Sequence, residues 1–581
     1  MKKIILLLSL FVFLVSGCSE FNLPGDKGLK KEEVTVRLTL RRHSDDITKS
    51  TLAYYHFIVA ESYSLENNIE KAIASYQEAI KHDSSSSFLH FKLSREYLKK
   101  GEIEKAVSEI QEALLINPDS MPSRMLLGKV YSGLNKKDLA IVQFKKVIDQ
   151  SPDEIEPYLY LGTLYAEKKD YDNAINTFQK LLEKKPDSSA GMYFLGKIYL
   201  AIKLYPRAEE YFKKSLEITP DFERAIAGLG DVYTMQEQYD KAIEYYAKAL
   251  YINPDDSVVR DRLGKIYIKK NSLDKALKEY QVISELEPEN MMIHKRLALI
   301  HFEQGNYSQA LEEFQIILLA EPKDTKIRYY KALVYEEMKK YDEALLELKE
   351  IIRLNPESID SRLFMARLYK ISNREDQAIQ ILNELLGISP KEPKGYFYLG
   401  LIFADQKKYN ESVKSFKKAI ELDPDNDKYY FNLGATYEKM GEFEMSIRQM
   451  EKTLKLNPKN ASAHNYLGYM YVEKGINLDE SVTIIKRALD LEPDNGYFVD
   501  SLGWAYFKKG WYQKALKELE RAVNLVPDDP IIRDHLGDVY FKLKRKNEAV
   551  TQWKKSLEIK PGNKEIEEKL RKLEKIFEKK R

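Results

Sequence analysis

The sequence predicts an all-α solenoid of stacked helical hairpins, on three observations. Fourteen prolines punctuate the chain. Pro118, Pro152, Pro186, Pro220, Pro254, Pro288, Pro322, Pro356, Pro390, Pro424 and Pro458 fall 34 residues apart, Pro493 comes one residue late, and Pro527 and Pro561 resume the step. Two small residues recur in every period, twelve apart as at Gly162 and Ala174 in all but one, where Gly468 and Ser481 are thirteen apart. Three residues after the first of them stands an aromatic in fourteen repeats, His301 being the exception. A fixed period of this length marks a unit that cannot bury its own apolar face, so neighbours must stack. Such an array offers a long surface rather than a pocket, and binding is expected before catalysis.

With the proline set at position 32, the repeats run from Ala53 to Asn563. In the repeat at 155–188, Tyr158, Leu161, Gly162 and Tyr165 recur at helical spacing, and Ala174, Phe178 and Leu181 do so again after the polar Lys168–Asp170 turn. The proline ends the second helix, because it lacks an amide proton and disfavours helix in the residue before it. The small residues at positions 8 and 20 let the two helices approach closely. The rings at position 11 are expected to fill the space those small residues leave.

The segment YFLGKIYLAIKLYPRAEEYFKKSLEITP (Tyr193–Pro220) resembles the tetratricopeptide repeat at nearly every signature position. Fifteen repeats are counted, the first (53–86) carrying Ser84 where the proline would stand. The resemblance implies a right-handed superhelical solenoid whose concave groove is lined by positions 2, 5, 9 and 12 of each first helix. At those positions the middle repeats are charged or mixed (Asp261, Lys265, Lys295, Lys326, Glu336, Arg367, Lys370). Toward the C-terminus they turn apolar and aromatic: Phe397, Leu401, Phe431, Tyr469, Tyr497, Trp504 and Phe507. These are the candidate partner-binding residues, as hot-spot aromatics on an open face. The competing reading is that they pack between repeats. Trp511, in the turn between two helices, is a further candidate contact. Tyr54, Phe57, Phe88, Phe91 and Leu98 form a similar group in the first two repeats, where self-association is the expectation. Asn432 stands where some tetratricopeptide domains grip a carboxylate, but Tyr398 and Tyr466 on either side do not complete such a clamp.

The two ends differ from the array. Lys2 and Lys3 precede the apolar stretch Ile4–Val15, too short to span a bilayer and suited to a signal peptide over residues 1–17. Val15-Ser16-Gly17-Cys18 resembles the bacterial lipobox, which implies acylation of Cys18 and a membrane anchor through lipid. Ser19 follows, not the aspartate that favours inner-membrane retention, so an outer-membrane protein facing the periplasm is expected. Residues 18–50 read as the lipidated cysteine and a flexible tether, with a β-like run at Val34–Leu40. The solenoid then occupies 51–563, and 564–581 reads as an amphipathic capping helix with Ile566, Leu570, Leu573 and Phe577 on one face.

Charge and chemistry exclude more than they suggest. The 93 basic and 91 acidic residues nearly balance, which argues against a nucleic-acid partner. Cys18 is the single cysteine, so a monomer forms no disulfide. The eight histidines include no HExxH pair, and no metal or cofactor is expected. Ser501 and His535, with Asp500 and Asp534 beside them, invite comparison with a hydrolase, yet they arise from equivalent positions of adjacent repeats and no nucleophile elbow accompanies them. A non-enzyme is expected.

The stretch Gly496–Glu558, through Asp500-Ser501-Leu502-Gly503-Trp504 and Asp534-His535-Leu536-Gly537-Asp538, resembles the ending of long bacterial tetratricopeptide lipoproteins. That resemblance implies an envelope scaffold, in some members an adaptor presenting substrates to a periplasmic carboxyl-terminal processing protease. The partners it implies are an envelope protease, a cell-wall hydrolase or a secretion component. The alternative is an assembly component of an exopolysaccharide or pilus secretion machine.

Overall fold

The computed structural model describes residues 31–578, which form thirty-one α-helices and no strand. The chain divides into two compact bodies, one ending at Leu286 and the other starting at Glu287. Within each, successive helices pack as antiparallel hairpins and each hairpin packs on the next. In the first body Ser189–Ala201 lies on Tyr205–Ile218, and in the second Gly496–Lys508 lies on Tyr512–Leu525. Among the described residues no helix is long and apolar enough to cross a membrane. The signal segment, Cys18 and the first part of the tether lie outside the described residues.

The first helix runs from Lys31 to Leu65, so it begins well before the repeat does. The run Val34–Leu40, read as β-like, is therefore helical, as is the rest of the tether from Lys31 onward. Alternating β-branched residues were a weak signal beside a continuous helix on which the first repeat is already built.

The small residues act as expected, but against a different partner. A Cβ on Gly162 would lie 2.4 Å from the Phe178 ring, and one on Gly230 would lie 2.5 Å from Tyr246. Gly128, Gly196, Gly264 and Gly400 face Phe144, Phe212, Tyr280 and Phe416 in the same way. The ring that fills the space thus comes from position 24 of the second helix, not from position 11. Rings at position 24 are fully buried, Phe178 with no exposed surface, whereas those at position 11 (Tyr165, Tyr233) keep their hydroxyl end near the rim. Each buried ring contributes about 2–3 kcal/mol of burial free energy.

The turn inside every hairpin is equally regular. Position 15 has positive φ in all fifteen repeats, from Asn67 through Gly101 and Lys407 to Lys544. This left-handed residue ends the first helix, and Gly or Asn takes it at least strain. The extra residue that delays Pro493 sits in such a turn, where both Gly475 and Asn477 are left-handed.

A second register holds the hairpins to one another. In nine of the repeats, position 4 of the next first helix, six residues after the proline, donates back to the proline carbonyl. Tyr158 bonds Pro152 O at 3.0 Å, Arg260 bonds Pro254 O at 2.9 Å, His294 bonds Pro288 O at 3.0 Å and His464 bonds Pro458 O at 3.0 Å. Arg328, Tyr396, Tyr430 and Arg533 repeat the contact. The bond satisfies a carbonyl that the end of a helix leaves exposed.

At the C-terminus the helix Lys564–Glu578 closes the stack. Ile566 and Leu573 are buried and Leu570 packs on the same cluster, while the Phe577 side chain lies outside the described residues.

Candidate partner-binding groove

The candidate residues of the second body fall into three environments. Phe397, Leu401 and Phe431 are half-buried. Phe397 lies 5.0 Å from the Tyr429 ring and 5.8 Å from Phe416, Leu401 packs on the same cluster, and Phe431 meets Tyr466 edge-on at 5.9 Å. Tyr469 is half-buried beside the cluster that holds Trp504, and burial, with Glu473 and Asp500 nearby, pushes its hydroxyl well above the ordinary tyrosine range. These four pack against neighbouring side chains and keep part of their surface exposed.

Trp504 departs from expectation, because only 9 % of its surface is exposed. Its ring lies parallel to Phe507 at 4.6 Å and to His535 at 4.0 Å, and its Nε1 donates to Glu473 at 2.7 Å. The physical reason is the sequence of small and large residues on adjacent helices: His535 from the next repeat closes over the indole where a groove residue would stand open. Phe507 is the half-buried end of this three-ring stack. Tyr497, by contrast, is 57 % exposed. Trp511 is 43 % exposed in the turn, held between the Lys509 and Lys514 ammonium groups at 4.1 and 4.5 Å from its ring.

The carboxylates under this stack are all engaged. His535 Nδ1 donates to Asp500 at 2.9 Å. Lys569, reaching in from the capping helix, pairs with Asp534 at 2.9 Å and Asp538 at 2.8 Å. Burial pulls the His535 imidazole down, but Asp500 against its ring, with Asp534 and Asp538 nearby, outweighs burial and holds it above the ordinary histidine value. Burial raises the Asp534 carboxyl, against the pull of Lys569.

Ser501 Oγ donates to the Tyr497 carbonyl of its own helix at 3.0 Å, while His535 Nδ1 is held by Asp500. Three other histidines have structural places. His90 and His294 pair with Glu109 and Glu313, each at 2.6 Å, and His301 occupies the aromatic slot, where burial lowers its value. Asn432 donates to Lys428 O at 2.8 Å within its own helix.

The charged groove residues of the middle repeats largely neutralise one another. Arg262 pairs with Asp231 at 2.8 Å, Lys265 with Asp261 at 2.5 Å, Arg367 with Glu336 at 2.8 Å and Lys370 with Asp405 at 2.7 Å. Sequence reading missed the proline staples and the closure over Trp504. The first was legible in the Arg, Tyr or His that stands six residues after ten of the fourteen prolines. The second needed the neighbour's side chain.

Hairpins repeated in one register, with glycine against ring and staple against proline, define a helical-repeat protein whose fold is a scaffold for protein–protein interaction. Family models of the tetratricopeptide repeat match residues 89–120, 122–154, 335–396, 400–441, 427–460, 503–544 and 532–563. Residues 155–330 match the model described as the tetratricopeptide repeat protein 21 C-terminal ARM domain. The chain belongs to the tetratricopeptide-repeat proteins, and no catalytic family is among these matches. No curated protein matches it. Among solved structures, the Cut9-Hcn1 hetero-tetramer of the APC/C is similar at 18 % identity and a TM-score of 0.38, over 83 % of this chain and 96 % of that one. The protein MamA is similar at 25 % identity and a TM-score of 0.26, over 28 % of this chain and 95 % of that one.

Proposed function

We propose that this protein is a lipid-anchored envelope scaffold. Its Cys18 holds it to the outer membrane, and its C-terminal repeats recruit periplasmic proteins, among them a carboxyl-terminal processing protease and the substrates presented to it. The observation that carries the reading is the set of half-buried aromatics Phe397, Phe431, Tyr469 and Phe507, together with the exposed Tyr497. Aromatic groups held rigid by their neighbours lose little entropy on binding and make strong anchors. The anchor is supported by the lipobox-like Val15–Cys18 run.

The test is in-cell photo-crosslinking from position 497, with fractionation of the Cys18→Ser variant alongside. Position 504 is the poorer probe, since Trp504 is closed in. A protease or cell-wall hydrolase captured from 497, in the membrane fraction only when Cys18 is present, is the expected result. Capture of nothing but the protein itself would remove the recruitment reading, and unchanged fractionation of Cys18→Ser would remove the anchor.

A further inference from the structure

Where the first two repeats meet, the first body holds a pit of about 300 Å³, walled by the rings of Tyr54, Phe57 and Phe88, by Ala53 and Leu89, and by the Asp83 carboxylate. Tyr54 and Phe57 stand a turn apart on the helix Lys31–Leu65, Phe88 and Leu89 open the helix Ser87–Lys100, and Asp83 caps the end of Ile69–His82 between them. The rings brace one another. Phe57 meets Phe88 edge-on at 5.6 Å, lies 6.3 Å from Tyr54, and is tied to the core through the buried Tyr76 at 6.3 Å. Tyr54 and Phe88 remain 64 % and 53 % exposed. This arrangement belongs to one place in the array: position 2 is aromatic only at Tyr54, Phe88 and Tyr497, and only the first two fall in successive repeats.

Rings alone would accept any apolar group, and the carboxylate narrows the choice. Among the described residues Asp83 is the one charged group in the lining. Its Oδ1 accepts from the Ser85 amide at 3.3 Å and from the Ser85 hydroxyl at 3.0 Å, both neutral donors, and among the described residues it makes no ion pair. The cations nearby are committed or stand outside. Lys92, 5.4 Å from the centre of the Phe88 ring, pairs with Glu61 at 2.9 Å, and Lys81 pairs with Glu78 at 2.6 Å. Lys49, beside Ser50, is exposed and does not line the pit. The larger cavity of this body, at Ala227–Gly228, carries Glu223 and Asp256 beside Lys197 and Arg224, and charge there selects no partner. In the pit at Asp83 only one sign is present.

We infer that this pit receives the guanidinium of an arginine from a partner protein, held against the Tyr54 and Phe88 rings and paired with Asp83. Ring faces carry the negative side of the aromatic quadrupole, so a cation is attracted by rings and carboxylate together. A planar guanidinium lies flat on a ring while its N–H groups reach a carboxylate in its own plane, and its weaker hydration makes it easier to bring into an apolar pit than an ammonium. The inference rests on the reading of the protein as a scaffold, and it places a second binding site in the first body, apart from the C-terminal aromatics.

The experiment uses the full chain with a fluorinated phenylalanine in place of Phe88, read by fluorine NMR. It is titrated at matched ionic strength with N-acetylarginine amide and with N-acetylcitrulline amide, which has the same shape without the charge. Arginine amide is expected to move the signal and to bind about tenfold more tightly than citrulline amide. Asp83→Asn, which keeps an acceptor for Ser85, should bring arginine amide down to the citrulline level. Tyr54→Ala, at an exposed position, should weaken arginine amide by about threefold or more. Equal binding of the two amides, or an arginine preference that survives Asp83→Asn, overturns the inference. So does a fluorine signal that shifts with protein concentration alone, which would mean that a second copy of this chain fills the pit. Crosslinking capture from position 497 in the other body is unaffected by these outcomes, so failure of the pit is distinguishable from failure of the scaffold reading.

Discussion

Replacing Gly162 by alanine should weaken its own hairpin, and replacing Phe178 by leucine alongside it should restore much of the loss. The new Cβ would stand 2.4 Å from two atoms of the Phe178 ring. Carbon atoms in contact prefer about 3.5–4.0 Å, so the ring or the helix must give by more than about 1 Å. The ring is wholly buried and has no empty side to turn to. Overpacking of this kind costs about 1–3 kcal/mol, against a gain of up to about 1 kcal/mol from the better helix propensity of alanine. Phe178→Leu alone leaves a void and costs about 1 kcal/mol or more. The pair together reproduces a combination this chain already uses, Ala332 with Leu348 and Ala366 with Leu382, all four buried. The double variant should therefore lie closer to the wild type than the sum of the singles, with a coupling of about 1 kcal/mol or more. A stack of repeats does not unfold in one step, so the assay is amide exchange of the hairpin 155–184, not a global melting curve. Strict additivity would refute the view that position 8 is small because of the ring at position 24.

Three further outcomes follow from the same contacts. Lys407, exposed and left-handed at φ 59°, should gain about 0.5–1 kcal/mol of local stability on replacement by glycine, read as slower exchange in the hairpin 393–422. Because folding raises the His535 value, its contribution is complete below the ordinary histidine value and is lost as pH rises through the folded one. Exchange at 530–559 should quicken over that window, and Asp500→Asn should flatten the dependence. Asp534, Asp538 and Lys569 flank the pair, so an NMR titration of His535 itself is the check. Lys569→Met should loosen the capping helix by about 1–3 kcal/mol by leaving Asp534 and Asp538 without their cation, and Lys569→Arg should restore it; equal protection of the cap in both variants would count against the pairing.

The array was legible in the sequence because its information is periodic. Proline position, the small pair and helical spacing each recur often enough that noise at one repeat is corrected by the others. From them come the helices, their order and the hairpin turns, and even the Gly475–Asn477 irregularity is announced by the late Pro493. Non-periodic stretches were harder. The tether has no repeat to anchor a reading, and the sequence of Val34–Leu40 suggests an extended run where the chain is helical.

Which ring faces which glycine, and which groove aromatic stays open, are facts of the third dimension. Two helices carry rings at positions 11 and 24, and linear spacing does not say which of them points across the hairpin at Gly162; the crossing of the helices does. Trp504 and Tyr497 look alike as groove residues in the sequence, yet His535 of the following repeat closes over one while the other stays exposed. The cavity at Ala227–Gly228 lies between these cases. Its missing side chains can be read by aligning the repeats, whereas the pairing of Arg262 with Asp231 in its wall emerges only when neighbouring helices bring them together. Repetition fixes what each repeat is made of, and packing between repeats decides which of its side chains remain to meet another molecule.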